Sequence, residues 1–249
     1  MGDIRKVQVG DVRLAYRGWG AADAPPAVLL HCLGEDGEDW RGVVGRLATT
    51  HRVLALDQRG HGRSDWPGEY GFERWRDDAI GFVETLGLGP ATLIGHSAGA
   101  TAALLLAAHR PDLVSRLILE EPAPPVPADP PQEVPEPPPG PPTFDWQAKI
   151  AVVAERNAPA PHWRDGLPAV TAPTLVIAGG PTSHIPSTIS PNWPAPSPTP
   201  AWSPSRTPAT SSTRSGRPRT WRRSRRSWRA AGESPAGGAR RLARRPGRP

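Results

Sequence analysis

Short apolar runs alternate with segments of helical periodicity along the first two thirds of the chain. The apolar runs have the length of buried strands and lie at 27–30, 52–56, 91–94, 116–119 and 174–177. Apolar residues recur at helical spacing over 39–47 and 72–86, and a run of small residues at 98–108 predicts a helix that can pack close to the sheet. This alternation predicts an α/β fold with a mostly parallel central sheet and flanking crossover helices.

Two segments fall outside that alternation. Residues 4–9 and 12–16 surround Gly10-Asp11 and predict a leading antiparallel hairpin. Residues 122–142 hold 12 prolines in 21 positions, which predicts an extended stretch because proline fixes φ and removes a hydrogen-bond donor. A further helix is predicted after it, over 145–157.

One motif indicates a particular chemistry. Gly-His-Ser-Ala-Gly at 95–99 follows a predicted strand and opens a predicted helix, which is the setting of a nucleophile elbow. The glycines leave room for strand and helix to approach, and the helix N-terminus favours negative charge beside Ser97. A Gly-x-Ser-x-Gly pattern alone is weak evidence for a nucleophile elbow, and its position between a predicted strand and a predicted helix makes the evidence specific. The alternative is a serine that only caps the helix.

Two further loops follow predicted strands that are consecutive along the chain. His-Cys-Leu-Gly at 31–34 comes after the strand at 27–30, where a backbone N–H can be aimed at a developing oxyanion. Asp-Gln-Arg-Gly-His-Gly-Arg-Ser-Asp at 57–65 comes after the strand at 52–56. Its glycines suit a sharp turn.

Together these motifs resemble the α/β-hydrolase family, from the hairpin to about residue 186. The resemblance implies that Ser97 is the nucleophile and that the backbone N–H groups of Leu33 and Ala98 form the oxyanion hole. The family usually has glycine where Cys32 stands. The simpler expectation for Cys32 is a small buried hydrophobe.

Asp57 and Arg59 are expected to fix their loop and not to take part in catalysis. The acid that the resemblance implies then has two candidate places. Many family members carry it after the next-to-last strand, in a Gly-x-x-Asp-x-x-x-Pro pattern, but Thr182 stands there in this chain. Another family arrangement places it at the end of the preceding strand. Glu120 and Glu121 stand there, and the strand end favours Glu121. Both could instead be solvated acids at the rim of the sheet.

The base that the resemblance implies has no good candidate. The family's histidine follows the last strand, whereas the last histidine of this chain is His184, in the loop that carries the acid in other members. His31, His61 and His96 belong to the motif loops and are expected to be structural. The chain as written is therefore expected to lack the catalytic histidine, the last strand and the last helix.

Charge divides the chain at about residue 186. The 249 residues have a formal net charge of +6. Residues 1–186 have a net charge of −7, and residues 187–249 have a net charge of +13. Residues 187–249 contain 14 arginines, 11 prolines and one acid, and show no apolar periodicity. We therefore predict a hydrolase core at 1–186, with a reduced Pro-rich cap at 122–171, and a disordered basic tail at 187–249.

The tail has the composition of GC-rich coding DNA read out of frame. When the third base of each codon is joined to the first two of the next, 187–193 can read Asp-His-Leu-Ala-Glu-Leu. Residues 197–204 can read Pro-Asp-Ala-Arg-Leu-Val-Thr, and 208–213 can read Gly-His-Leu-Val-His. Helix, strand and Gly-His follow in the family's order. We hypothesise a one-base deletion near codon 187, which resequencing of that DNA would test.

Two function classes remain. The first is a serine hydrolase of small esters, lactones or related acyl substrates, impaired in the chain as written. The second is a binding protein whose Arg-rich tail, with Trp221 and Trp228, holds nucleic acid or an acidic partner. The shifted frame explains the tail more simply, so nucleic acid is not the expected partner. An epoxide or haloalkane hydrolase is not expected, because those family members carry Asp as nucleophile.

The remaining features set outer limits. One cysteine excludes an internal disulfide, and no metal-ligand spacing or phosphate loop is evident, so no cofactor is expected. Neither a signal peptide nor an apolar run of about 18 residues is present, which predicts a cytoplasmic protein without a membrane segment. The sequence predicts neither the particular substrate nor the oligomeric state.

Overall fold

The computed structural model describes residues 3–123 and 125–179. It begins with the predicted hairpin, formed by β1 (Ile4–Val9) and β2 (Val12–Trp19), with Val9 opposite Val12 at the turn. The predicted tail, Thr182 and His184 lie outside the described residues, and so does the part of the chain that is expected to lack the last strand and the last helix.

Seven strands of the described part form one sheet in the order β1-β2-β4-β3-β5-β6-β7. The remaining strands are β3 (Pro26–Leu30), β4 (Arg52–Leu56), β5 (Ala91–His96), β6 (Val114–Glu120) and β7 (Thr174–Ile177). β2 pairs antiparallel with β1 and β4, and every pair from β4 to β7 is parallel. The predicted mostly parallel sheet is confirmed.

Helices connect the strands. They are α1 (Arg41–Leu47), α2 (Phe72–Thr85), α3 (Ala98–His109), α4 (Trp146–Asn157) and α5 (Pro161–Asp165). The helix predicted at 39–47 begins instead as a 3₁₀ turn, Gly37–Trp40, because the Asp36 side chain accepts a hydrogen bond from the Glu38 amide at 2.7 Å and caps it. α5 was not predicted, since it has only five residues and starts with a proline.

The core is divided between the two faces of the sheet because side chains alternate along each strand. On one face, Val28 and Leu30 of β3 and Leu54 and Leu56 of β4 join a large cluster with α2 and α3. The other face carries a smaller cluster of Leu29, Trp40, Val44, Val53 and Ala55. Helices thus cover both faces, as the sequence pattern predicted.

The segment predicted as a reduced cap packs against the core of the protein. Apart from Pro124, residues 122–142 are described and contain no helix or strand. Trp163 of α5 is buried, packs edge-on against Phe72 of α2 with ring centroids 5.5 Å apart, and donates to Glu73 at 3.0 Å. Trp163 therefore packs on the domain instead of lining an open pocket.

A buried ion pair fixes the loop after β4 to α2. Arg59 donates from Nε and Nη2 to the two carboxylate oxygens of Asp78, at 2.7 and 2.8 Å, and Nη2 also contacts Asp11 at 3.0 Å. The side chains of Arg59 and Asp78 are 4% and 6% exposed. Two parallel hydrogen bonds of this kind hold a guanidinium in one orientation.

The adjacent residues Asp78 and Asp77 provide a matched test of this pair. We expect Asp78→Ala to lower the free energy of unfolding by about 3–5 kcal/mol, because it leaves a buried guanidinium without its main partner. Asp77, whose side chain is 56% exposed and pairs with Arg76, should lose less than about 1 kcal/mol on the same substitution. Urea unfolding of both variants measures the difference, and equal losses would contradict it.

Candidate active site

Ser97 lies between β5 and α3 in a strained backbone conformation. Its φ is 49° and its ψ is −110°, and it is one of two residues other than glycine in the described part with positive φ. The Ser97 amide donates to the Glu120 carbonyl at 2.8 Å, and the Thr101 amide donates to the Ser97 carbonyl at 3.0 Å. Backbone hydrogen bonds on both sides therefore hold the strained residue in place.

Two glycines make this turn possible. A Cβ on Gly95 would lie 2.5 Å from the Cα of Ala100, and one on Gly99 would lie 2.5 Å from the His31 carbonyl oxygen and closer still to that of Leu30. Real Cβ atoms do not approach backbone so closely, so both positions require glycine. The N-terminus of α3 therefore touches the end of β3, as expected for a nucleophile elbow.

The amides predicted as an oxyanion hole are available. Neither Leu33 nor Ala98 donates its backbone N–H to any group in the described residues. The Ala98 amide is the first of α3 and lies at the positive end of the helix. Leu33 follows β3, whose end adjoins that N-terminus.

His31 orients the peptide that carries the Leu33 amide. The buried ring accepts a hydrogen bond from the Gln58 amide at Nε2 (2.9 Å), so its proton resides on Nδ1 and is donated to the Cys32 carbonyl at 2.7 Å. Because C=O and N–H point in opposite directions across a trans peptide, fixing the Cys32 carbonyl also directs the Leu33 N–H. Burial lowers the pKa of His31 and keeps the ring neutral. His31 is thus structural, as the sequence predicted.

Asp57 fixes the loops around the site. Its fully buried carboxylate accepts hydrogen bonds from the Gly37 amide at 2.8 Å, from Arg17 Nη1 at 2.7 Å and from the Arg63 amide at 3.0 Å. These donors belong to three different parts of the chain. With the pairing of Arg59, this agrees with the loop-fixing role that the sequence suggested for Asp57 and Arg59.

The two candidate acids have different surroundings. Glu120 ends β6, opposite His96 of β5, and burial is the main reason that the pKa of Glu120 is raised. Glu121 is the next residue, has a φ of 50°, and its amide donates to the Ile177 carbonyl at 2.9 Å. Glu120 interacts electrostatically with His96 and Asp39. No described contact ties the Glu121 carboxylate to those groups.

None of the six described histidines forms a hydrogen bond with the Ser97 hydroxyl. His61 is buried and stacks on Phe144 with ring centroids 5.3 Å apart; burial, with the neighbouring His31, lowers its pKa to about 3. Burial opposes the charged form of His96, but contacts with Asp39 and Cys32 outweigh it and raise its pKa to about 11. The described part therefore offers no general base at Ser97.

Sequence reasoning missed one cluster beside the predicted site. Cys32, Asp39 and His96 place a sulfur, a carboxylate oxygen and a ring nitrogen within 4.8 Å of one another. Their separations along the chain match no familiar ligand pattern. The available signal was Cys32 itself, which stands where the resemblance leads one to expect glycine.

Comparison with known proteins identifies the family. A family model described as the alpha/beta hydrolase fold matches residues 25–163. The chain therefore belongs to the α/β-hydrolase fold family, and the resemblance inferred from its motifs is confirmed. No helix in the described part of the chain is both long and apolar enough to cross a membrane.

Relatives with names match parts of the chain. It is 36% identical over 116 residues to 2-(acetamidomethylene)succinate hydrolase of Mesorhizobium japonicum, covering 46% of this chain and 41% of that protein. It is 36% identical over 107 residues to an sn-1-specific diacylglycerol lipase of Mus musculus, covering 42% and 35%. The matched part is thus about two fifths or less of either relative.

A solved structure matches over more of the fold. The crystal structure of a membrane phospholipase A, described as a bacterial virulence factor, aligns with a TM-score of 0.56 at 25% identity. The alignment covers 72% of this chain and 70% of that chain. It extends the similarity well beyond the segment shared with the two relatives.

Gly99 and Gly45 provide a matched test of the elbow. Gly99→Ala should lower the free energy of unfolding by about 1–3 kcal/mol, because the added methyl group meets backbone carbonyls that cannot move aside. Gly45 lies exposed in α1, where an added Cβ meets nothing within 4 Å. Gly45→Ala should therefore raise it by about 0.5–1 kcal/mol. Urea unfolding decides, and a Gly99→Ala protein of unchanged stability would exclude the close approach.

Proposed function

We propose that this chain has the catalytic framework of a serine hydrolase acting on small esters, lactones or related acyl substrates. The observation that carries the proposal is the strained Ser97 at the N-terminus of α3, with the undonated amides of Leu33 and Ala98 beside it. A helix N-terminus and two free N–H groups favour negative charge at this place.

The arrangement suits acyl transfer in two steps. The Ser97 hydroxyl oxygen attacks the substrate carbonyl carbon, a base takes the hydroxyl proton, and the two amides stabilise the tetrahedral oxyanion. The alcohol then leaves with a proton and an acyl-serine remains. Water attacks the acyl-serine, releases the acid and restores the hydroxyl. No cofactor takes part in this scheme.

The surroundings favour an apolar acyl group. Phe144, in the cap segment, stacks on His61, and its ring would lie 3.4 Å from a Cβ placed on Gly34, next to Leu33. The Asp145 amide donates to the Gly60 carbonyl at 2.8 Å and attaches this part of the cap to the loop after β4. An aromatic wall beside the oxyanion hole suits an apolar acyl chain. Two of the similar proteins are named as a lipase and a phospholipase.

Glu121 is the better candidate for the acid. Glu120 lies opposite His96 and is attracted to it, whereas Asp39 and Glu121 repel its carboxylate and burial disfavours its charged form. Glu121 sits one residue beyond β6, and β6 is joined to the elbow by the hydrogen bond between the Ser97 amide and the Glu120 carbonyl. A base that approaches Ser97 from a loop after a last strand could therefore be oriented by Glu121.

The base is proposed to come from the shifted reading frame, as the Gly-His read from codons 208–213. Without such a histidine the Ser97 hydroxyl is a weak nucleophile near neutral pH. The chain as written should therefore bind an acyl substrate and turn it over very slowly, and the frame-restored chain should be the active form.

Activity on a simple aryl ester tests the proposal. The frame-restored chain should hydrolyse it, the chain as written should be slower by several orders of magnitude, and Ser97→Ala should lower kcat/KM by roughly 10⁴–10⁶-fold. Ser115→Ala, at the far end of β6, is the control and should leave the rate unchanged. Equal rates for the two reading frames, or a fully active Ser97→Ala protein, would refute the proposal.

Paired glutamine variants of the frame-restored chain test the acid. Glu121→Gln keeps the size of the side chain but cannot stabilise an imidazolium, so kcat should fall by about 10⁴-fold. Glu120→Gln should change kcat by less than tenfold. The opposite order would assign the acid to Glu120, and two small effects would place it elsewhere in the chain.

A further inference from the structure

Three side chains with metal-ligating atoms meet on the described part of the chain. Cys32 follows β3, Asp39 lies in the 3₁₀ turn Gly37–Trp40, and His96 ends β5. One atom from each lies within 4.8 Å of the other two, and His96 Nδ1 is 3.8 Å from Asp39 Oδ2. The side chains of His96 and Asp39 are 20% and 21% exposed, so the cluster is sheltered but reachable.

The fold brings these residues together through three separate restraints. β3 and β5 are parallel neighbours with Leu30 opposite Gly95, so the residues that follow each strand are adjacent. The 3₁₀ turn that carries Asp39 is held by the hydrogen bond from the Gly37 amide to the buried Asp57. A Cβ on Gly37 would lie 2.9 Å from the Asp57 carboxylate, so this turn is tightly packed.

We propose that Cys32, Asp39 and His96 form a binding site for a thiophilic divalent cation of the zinc type. Thiolate, imidazole and carboxylate are the three ligand types that zinc uses in proteins. A cation that prefers oxygen ligands alone, such as magnesium or calcium, does not match a set with sulfur and nitrogen in it. Three protein ligands leave one position for water or another small ligand.

The observed spacing is close to that of a tetrahedral site. Zinc–ligand bonds in proteins place neighbouring ligand atoms roughly 3.4–3.6 Å apart. The 3.8 Å between His96 Nδ1 and Asp39 Oδ2 is too long for a hydrogen bond and only slightly longer than that separation. Small rotations of these partly exposed side chains would shorten the distance between His96 Nδ1 and Asp39 Oδ2 to the separation found in a zinc site. Glu120 lies opposite His96 in the paired strands β5 and β6, so a second carboxyl group is close to the cluster.

The site shares the backbone of the proposed hydrolase site but none of its reacting atoms. Cys32 precedes Leu33, and His96 precedes Ser97. A cation held between Cys32 and His96 would tie the loop after β3 to the end of β5. The proposed cation site does not depend on whether Ser97 is an active nucleophile.

Cobalt(II) titration of the untagged 249-residue chain tests the proposal directly. Tetrahedral cobalt bound to a thiolate gives a near-ultraviolet charge-transfer band and strong visible absorption. Because the chain has a single cysteine, such a band can arise only from Cys32. We expect saturation at one cobalt per chain and displacement of cobalt by zinc. Absence of the charge-transfer band would overturn the proposal, as would saturation at one cobalt per two chains with dimer formation.

Single variants assign the ligands. Cys32→Gly, which installs the residue usual in the family, should abolish the charge-transfer band. Asp39→Asn and His96→Gln should weaken cobalt binding by at least about 100-fold, since even the outer partners of metal ligands contribute 10–100-fold. His109→Gln, an exposed histidine at the end of α3, is the control. Circular dichroism verifies folding, and a folded Asp39→Asn or His96→Gln protein with unchanged affinity would refute the assigned site.

Discussion

The structure depends on how closely helix α3 approaches strand β3. Gly99 lies against the carbonyl groups of Leu30 and His31, where no other residue fits. This contact places the first turn of α3 directly beside the end of the sheet and leaves Ser97 in the turn, with a φ of 49°. It also brings the loop that carries Leu33 to the positive end of the helix. The geometry of the candidate oxyanion hole therefore follows from a steric requirement at two glycines.

Apolar packing alone could not hold the loops at that edge of the sheet, because it has no preferred direction. Directional polar contacts supply the orientation that apolar packing cannot. Asp57 links β2, the 3₁₀ turn and its own loop through Arg17, Gly37 and Arg63. Arg59 links the same loop to α2 through Asp78. Buried and held by several directional contacts, these groups keep the rim of the sheet rigid before a substrate arrives, which a preorganised site requires.

The sequence predicted the sheet and its long helices well, because buried strands leave short apolar runs, α2 leaves apolar residues at helical spacing, and α3 leaves a run of small apolar residues. The structure extends the strand predicted at 116–119 to Val114–Glu120 and shortens the helix predicted at 72–86 to Phe72–Thr85. The observed bounds differ from the predicted ones where backbone hydrogen bonds, and not apolar residues, determine where a strand or helix ends. The sequence favoured Glu121 over Glu120 from the strand end, but the surroundings of the two could not be predicted, since they depend on the φ of 50° at Glu121 and on the contacts of a neighbouring strand. Ser97 was predictable because its motif constrains the backbone itself.

The cluster at Cys32 shows why a motif can conceal a second site. Each of its members has a sufficient local explanation: Cys32 as a small hydrophobe, Asp39 as an acid in the first turn of a helix, His96 as the variable residue of an elbow. The parallel pairing of β3 and β5, together with the 3₁₀ turn held against Asp57, brings their polar atoms together. Since Cys32 and His96 immediately precede Leu33 and Ser97, a cation bound between them would restrain the same peptides that the proposed acyl transfer requires to stay fixed. Its effect on catalysis would then be one of positioning, because no ligand of the cation needs to touch the substrate.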